Sequence, residues 1–369
     1  MKGSIKKRGE NSWRLKFDLP RENGERRTQY VTVQANGKKE AREKLAALIA
    51  SVGAGSYVEP SRVALGDYVA SRIDQWEASG ALSPRSAARY QEILRNQIRP
   101  HLGDKLLQRL RPADIEAWHS ALQATGLSAR TIGAAHRVLS QALNDAVRHE
   151  MLVKNVAKIQ PTPKVDDKEV VIVRDIPALI EKLKGSRVHT LAMVALFTGA
   201  RMGEILALRW SAVDLDKGTL EIRESIEYTA AGIRFKAPKT RAGRRVITLP
   251  DILITTLREH RREQLELRMR LGIGKLPDDA LLISDIDGNP WQQRQTSTLW
   301  QRFAERIGIP VTFHALRHTH ASQLIDAGVD IVTISKRLGH AKPDITLRVY
   351  SHLFRKDDSK AAQAINALF

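Results

Sequence analysis

The chain has 369 residues, more than one hydrophobic core usually organises, so two or three domains are expected. Its 60 Lys and Arg residues against 41 Asp and Glu residues give a formal net charge of +19, which favours a polyanionic partner: nucleic acid first, an anionic membrane surface second. The absence of cysteine excludes disulfides and thiolate chemistry, and no apolar run is long enough to span a bilayer.

Residues 1–57 are predicted to form a small β module closed by a helix. Apolar and charged residues alternate from Trp13 to Leu19, and a second β-prone run covers Gln29 to Val33. Turn-forming residues at 21–25 separate the two runs. From Lys38 to Val52 the apolar period becomes that of a helix, so the module is expected to end with one.

Residues 62–157 are predicted to be helical. Ser83 and Pro84 have the cap-and-proline pattern of a helix start, and the stretch from Pro100 to Gly103 is expected to break that helix. A second helix is expected from Pro112, and Ser128 is expected to cap a long third one.

Basic side chains decorate the first strand and these helices. Either they only solvate a surface or they contact phosphates, and the global charge makes phosphate contact a real alternative. The candidates for DNA contact are Arg14, Lys16, Arg85, Arg89, Arg130 and Arg137.

Residues 158–170 combine prolines with charges and little apolar periodicity, which is typical of a linker. Beyond it, residues 171–369 are predicted to form an α+β domain in which helices surround a β section at about 213–249. The longest apolar run, Leu191 to Ala200, is predicted to be a buried helix.

Arg201 follows this apolar run directly and lies between Gly199 and Gly203, which let another backbone approach closely. A guanidinium group in such a place is suited to neutralising the non-bridging oxygens of a phosphate. Glu204, three residues on, falls on the same helical side and is expected to orient Arg201. Taken alone, the pair is equally typical of a surface ion pair.

His314 and Arg317 are spaced i, i+3, so on a helix both side chains can converge on one phosphate. His314 and His318 also have the i, i+4 spacing of a zinc-protease motif. That motif needs Glu at position 315, where this chain has Ala315, so no metal site is expected.

Gly339 ends a helical segment just before His340, and Pro343 restarts a helix that reaches Tyr350. A tyrosine on an amphipathic helix is often a core residue. To act as a nucleophile, a phenol with an ordinary pKa near 10 needs neighbouring cations or a base, which the arginines and histidine above are candidates to supply.

Lys239 lies in a basic turn, residues 237–245, between β segments. A lysine on a hairpin can reach into a groove and protonate a departing 5′ oxygen. Lys236, three positions earlier, is the alternative.

In order, these residues read Arg, Lys, His-x-x-Arg, Gly-His and Tyr, which resembles the signature of the tyrosine recombinases, in particular lambda-type integrases of phages and genomic islands. Residues 198–208 resemble the first arginine motif of that family, 314–317 the second, and 338–350 the segment with the histidine and the nucleophile. Residues 62–157 are similar to its helical core-site-binding domain, and residues 1–57 to its three-stranded arm-site-binding domain.

The resemblance implies a multidomain fold: a small α+β domain with a three-stranded sheet (1–57), an all-α domain (62–157), a linker (158–170), and an α+β, mainly helical catalytic domain with a C-terminal exchange tail (171–369). The catalytic residues it implies are Arg201, Lys239, His314, Arg317, His340 and the nucleophile Tyr350, with Glu204 in support.

In such an enzyme the tyrosine attacks a backbone phosphate, which gives a 3′-phosphotyrosyl link and a free 5′ hydroxyl, and the hydroxyl of a partner strand reverses the step. One phosphodiester replaces another, so neither ATP nor a cofactor nor a metal is expected, and the sequence has no phosphate-binding loop of the ATPase type.

The implied partners are double-stranded DNA at core and arm sites, three further copies in a homotetramer, and DNA-bending accessory proteins or an excisionase. The implied role is integration and excision of a mobile element such as a prophage, in the nucleoid of a bacterial cytoplasm and not at a membrane. The tail after Tyr350 is expected to dock on a neighbouring protomer, with packing on its own domain as the alternative.

Two other functions remain as alternatives. A non-catalytic DNA-binding regulator on the same fold would lack at least one catalytic residue, and none is missing here. A topoisomerase with the same chemistry would need neither an arm-site module nor an exchangeable tail.

Overall fold

The structure is a computed structural model that describes residues 3–20, 25–55, 57–165, 171–229, 232–238, 240–351 and 366. It has two compact units, Met1–Asp166 and Asp167–Phe369. The predicted turn at 21–25 lies mostly outside the described residues, as do Lys239 and nearly all of the tail after Ser351.

The first unit begins with a three-stranded antiparallel sheet in the order β1 (Gly3–Lys7), β2 (Ser12–Asp18) and β3 (Thr28–Gln34), followed by helix α1 (Lys38–Gly53). On one face of β2, Trp13, Leu15 and Phe17 are buried in a cluster with residues of α1, as their alternation predicts. Strand β1 is not evident from the sequence, because Ile5 is its single apolar side chain.

The other face of the sheet is basic. The guanidinium of Arg14 lies 4.5 Å from the centre of the Tyr30 ring, and the ammonium of Lys16 lies 5.7 Å from it. Because these side chains leave the sheet opposite the buried ones, they present an aromatic and cationic surface to solvent.

The rest of the first unit is helical. Its helices are α2 (Leu65–Ala78), α3 (Pro84–Ile93), α4 (Arg99–Leu102), α5 (Pro112–Ala124) and α6 (Ala129–Arg148). Ser83 and Ser128 cap α3 and α6 as predicted, each accepting a hydrogen bond from a backbone N–H of the first turn. The helical path ends at Leu102, within the stretch from Pro100 to Gly103 where a break is predicted. A π-helical turn (Leu94–Ile98), which is not predicted, shifts the hydrogen-bonding pattern ahead of the proline.

A buried carboxylate joins α2 to α6. Asp145 accepts hydrogen bonds from Arg72 Nε at 2.9 Å and Trp76 Nε1 at 2.8 Å, and it also contacts Arg148. Burial alone would raise the pKa of Asp145, but these donors outweigh it and the pKa lies below its usual value.

The second unit is mainly helical. Its helices are α7 (Ile176–Leu183), α8 (His189–Thr198), α9 (Met202–Leu206), α10 (Asp251–Arg270), α11 (Gln293–Arg306), α12 (Phe313–Asp326), α13 (Ile331–Leu338) and α14 (Pro343–Tyr350). Its strands are β4 (Val213–Asp214), β5 (Thr219–Ile222), β6 (Ser225–Thr229), β7 (Gly232–Lys236) and β8 (Arg245–Thr248).

Strands β4, β5 and β8 form a small antiparallel sheet, and β6 and β7 form a separate hairpin. Helix α8, apolar on every side, lies in the main core, as its sequence predicts. The architecture therefore agrees with the expected fold class of a three-stranded sheet domain, an all-α region and a mainly helical α+β unit. None of the helices among the described residues is long and apolar enough to cross a membrane.

Candidate active site

The site begins where α8 ends. Gly199 has a φ of +65°, and a Cβ at this residue would lie 2.7 Å from atoms of both His320 and Leu338. Glycine therefore lets α8 end in close contact with α12 and α13. Arg201 lies two residues further on and directly precedes α9.

Arg201 and Glu204 form the predicted pair. The Arg201 side chain, 43% exposed, donates from Nη1 to Glu204 Oε1 at 2.9 Å, and the Arg201 backbone N–H donates to Oε2 at the same distance. Glu204 is 5% exposed and also accepts from Arg245 Nη2 at 2.9 Å. A buried carboxylate thus lies between two guanidinium groups, one accessible and one buried.

Arg317, on α12, is 3% exposed and joins three parts of the second unit. It donates to Gly199 O at 2.5 Å, to Leu338 O at 2.8 Å and to His340 Nε2 at 2.8 Å. Burial, followed by the charge of Arg201, lowers the pKa of Arg317 to about 9, so the side chain still carries its charge at neutral pH.

His340 has a defined protonation state. Since a guanidinium can only donate, Nε2 of His340 must accept from Arg317, which leaves the proton on Nδ1, where it is donated to Thr346 Oγ1 at 2.8 Å. Burial and the charge of Arg317 lower the pKa of His340 to about 4, in keeping with a neutral ring.

Tyr350, the last residue of α14, is 1% exposed. Its hydroxyl lies 2.7 Å from Nδ1 of His318, and the His318 ring in turn packs edge-on against His314 with 4.7 Å between centroids. Burial raises the pKa of Tyr350 to about 12, although the charge of Arg317 opposes the shift. In this conformation the phenol is covered and protonated rather than activated.

A buried histidine, His320, and a partly buried arginine, Arg337, lie next to this cluster. Arg337 donates from Nε to His320 Nε2 at 3.0 Å and from Nη2 to Phe197 O at 3.0 Å. His320 completes the link by its Nδ1 contact with Leu196 O at 2.8 Å. These contacts tie α13 to the end of α8, which fixes the place of Leu338 and the turn after it.

Six of the seven predicted catalytic and supporting residues belong to this one region of the second unit: Arg201, Glu204, His314, Arg317, His340 and Tyr350. The seventh, Lys239, lies outside the described residues. Its alternative, Lys236, forms an ion pair of 2.7 Å with Glu227 across the β6–β7 hairpin.

Three side chains of the cluster were not predicted from the sequence. Arg245 lies in a run of basic residues, and the single feature that could have indicated its burial is its position at the start of a strand with an alternating burial pattern. His318 was predicted neither as a metal ligand nor as a neighbour of Tyr350, and Thr346 carries no signal. Among the described residues, no group of three His, Asp or Glu side chains is arranged to hold a metal ion.

The predicted DNA contacts are exposed or partly exposed. Arg85, Arg89, Arg130 and Arg137 are exposed on α3 and α6, and no carboxylate in the described part of the chain forms an ion pair with them. Arg14 and Lys16 lie on the basic face of the sheet beside Tyr30.

Comparison with known proteins agrees with this architecture. The phage integrase family matches residues 170–357, and the phage integrase N-terminal SAM-like domain matches residues 70–123. A "Tyrosine recombinase XerC-like" protein of Caldanaerobacter subterraneus is 29% identical over 353 residues, covering 90% of each chain, and an "Integrase" of Streptomyces ambofaciens is 27% identical, covering 90% of this chain and 87% of its own.

A structure of the Tn1549 transposon integrase in complex with transposon right end DNA has a similar fold. Its TM-score is 0.70 at 18% identity, over 83% of this chain and 99% of that one.

The family match, on a fold shared with a solved integrase, identifies an enzyme of DNA recombination. Because the family match spans just over half of its length, the chain belongs to the phage integrase family, as a tyrosine site-specific recombinase.

Proposed function

We propose that this recombinase cleaves and rejoins DNA through a transient 3′-phosphotyrosyl link on Tyr350, and that it integrates and excises a mobile element such as a prophage. The observation that carries the proposal is the set of contacts made by Arg317. They bring the Gly199–Arg201 segment and the His340 turn together, although these lie far apart in the chain, and Tyr350 lies near enough for the charge of Arg317 to oppose the rise in its pKa.

The chemistry follows from the charges. As the phenol gives up its proton, for which the neutral His318 beside it is the proposed acceptor, its oxygen bonds to phosphorus and the 5′ oxygen leaves. Negative charge grows on the non-bridging oxygens, and the accessible Arg201 and the adjacent Arg317 neutralise it. The 5′ oxygen leaves with a proton, for which Lys239 is the proposed donor. The ion pair of Lys236 with Glu227 supports Lys239 over Lys236, because a lysine held by a carboxylate in the hairpin is less available to a leaving group.

Tyr350 cannot attack from the position described here, because 1% exposure leaves no room for a phosphate at its hydroxyl. We expect DNA binding to uncover the phenol, which requires α14 to shift and the contact with His318 to break or rearrange. With a pKa of about 12 the phenol stays protonated before DNA binds, and a protonated, covered phenol is a poor nucleophile.

The first unit supplies surfaces for DNA. The exposed arginines of α3 and α6 are proposed to contact core-site phosphates, and the face with Arg14, Lys16 and Tyr30 is proposed to contact arm sites. The proposal includes residues 1–57, 62–157, 158–170 and 171–369 as the arm-binding domain, the core-binding domain, the linker and the catalytic domain. Four copies on two duplexes, helped by DNA-bending proteins or an excisionase, complete it.

The DNA site for the test is first selected by binding of the protein to a randomised library of duplexes. The selected duplex is then nicked close to the cleavage position, so that cleavage releases a short fragment and cannot be reversed. Wild type should become covalently attached to the 3′ phosphate, and Tyr350→Phe should not. Tyr90→Phe, at a partly buried tyrosine of α3, is the matched control and should attach normally.

Attachment that persists in Tyr350→Phe would refute the nucleophile. Wild-type binding without any attachment would instead favour a DNA-binding regulator. Relaxation of supercoiled DNA without joining of two duplexes would favour a topoisomerase.

A further inference from the structure

Among the described residues, Arg245 is the most enclosed arginine near the site that the chemistry above does not use. It is the first residue of β8, and its side chain is 6% exposed. The guanidinium donates to three acceptors: Glu204 Oε2 at 2.9 Å, Arg337 O at 2.7 Å and Gly243 O at 3.0 Å.

These acceptors belong to three different parts of the site. Glu204 holds Arg201. Arg337 O lies near the end of α13, two residues before the turn at Gly339 that leads to His340. Gly243 closes the loop between β7 and β8. One planar group with donors on three sides therefore contacts the arginine segment, the turn before His340 and the loop between β7 and β8.

The contact at Gly339 is close. A Cβ on this residue would lie 2.7 Å from Arg245 Nη1, so the absence of a side chain lets the guanidinium pack against the turn. The position of this turn determines where His340 lies, and Nε2 of His340 also accepts a hydrogen bond from Arg317.

Arg245 also offsets the cost of burying the negative charge of Glu204. Burial alone would raise the pKa of Glu204, but the charge and hydrogen bond of Arg245, followed by the bond from the Arg201 backbone, hold that pKa below its usual value. Glu204 therefore stays ionised and able to orient the accessible guanidinium of Arg201.

We propose that Arg245 is a positioning residue of the recombinase: it fixes Glu204, and through it Arg201, relative to the turn that carries His340. This inference rests on the proposed function. Arg245 itself does not contact the phosphate, and its effect on the reaction passes through the alignment of Arg201 and His340. A lysine cannot replace it, because one ammonium group cannot serve three acceptors in the plane of a guanidinium fork.

The experiment compares two nicked duplexes of the selected site, one with the ordinary scissile phosphate and one with a methylphosphonate in its place. The methylphosphonate lacks the negative charge, so its cleavage depends far less on a well-placed guanidinium. The variants are Arg245→Met and Arg245→Lys. Arg209→Met is the control, because Arg209 forms a comparable ion pair with Glu224 at 2.9 Å outside the cluster.

On the phosphate, both Arg245 variants should cleave about 10²-fold more slowly at saturating enzyme, while DNA affinity changes less than about threefold, since misplacement by an ångström costs that much in rate. On the methylphosphonate the same variants should lose less than about tenfold. Arg209→Met should cleave both duplexes as wild type does.

An equal loss on the two duplexes would overturn the proposal, because a purely structural defect does not depend on substrate charge. If Arg245→Met fails to fold, Arg245→Lys, which keeps a cation beside Glu204 but loses the guanidinium fork, is read in the same way. Failure of wild type to attach through Tyr350 would refute the proposed function, whereas normal attachment with equal losses would refute the role of Arg245 alone.

Discussion

Replacing Gly339 by alanine tests how closely the active-site turn is packed. The residue has a φ of +69°, and the added Cβ would lie 2.7 Å from Arg245 Nη1 and 3.1 Å from Ala242 O. The variant must therefore bear the cost of a left-handed alanine and must also displace a buried guanidinium.

The magnitude follows from two contributions. A left-handed backbone conformation costs a residue with a side chain roughly 1–2 kcal/mol. Moving Arg245 weakens at least one of its hydrogen bonds to Glu204 and Gly243, and a bond to a charged group contributes roughly 1.5–3 kcal/mol. We expect Gly339→Ala to lower the free energy of unfolding by about 3–4 kcal/mol and to slow cleavage by about 10²-fold.

The matched control is Gly328→Ala. Gly328 has a φ of +77°, and a Cβ added there would meet nothing within 4 Å beyond its chain neighbours, so this variant bears the backbone cost alone. Urea unfolding of the full chain should show a loss of about 1–2 kcal/mol for this control, with normal cleavage of the nicked duplex. Equal losses of stability and of cleavage rate in the two variants would show that the contact between Gly339 and Arg245 has no energetic weight.

Three further predictions concern the first unit. Asp145→Ala should lower the free energy of unfolding by about 3–5 kcal/mol, because it strands buried donors, whereas Asp67→Ala at an exposed ion pair should cost under about 1 kcal/mol; urea unfolding measures both. Burial lowers the pKa values of His119 and His136, which share a hydrogen bond of 3.1 Å, so stability is complete above the unfolded pKa of about 6.5 and is lost as pH falls below it. The urea midpoint should therefore fall between pH 8 and pH 5 more steeply in wild type than in His119→Gln, and equal slopes would count against this. Arg137→Ala should reduce the slope of log Kd for DNA against log salt by about 0.9, and an unchanged slope would rule out a phosphate contact.

Much of the fold was predictable because its signals are local. The alternation in β2 fixes which of its residues are buried, and the caps at Ser83 and Ser128 mark helix starts within one residue. Strand β1 was missed because an edge strand with one apolar residue shows no period. The break in the stretch from Pro100 to Gly103 was predictable from the proline and the glycine, whereas the π-helical turn just before it has no sequence signal.

The candidate site divides in a similar way. Arg201, Arg317 and His340 were predicted from their order and spacing, which can be read from a single sequence. Arg245 and His318 make their contacts across 41 and 32 residues of chain, and nothing near them in the sequence marks these contacts. Burial of Tyr350 was equally invisible, because an amphipathic helix predicts a buried side but not which partner covers it.

Cleavage through Tyr350 can be established by identifying the covalent bond itself. After reaction with the nicked duplex, protease digestion and mass spectrometry should recover one peptide that carries a nucleotide, joined from the Tyr350 oxygen to a 3′ phosphate. A nucleotide on any other residue, or a 5′ linkage on Tyr350, would contradict a 3′-phosphotyrosyl mechanism.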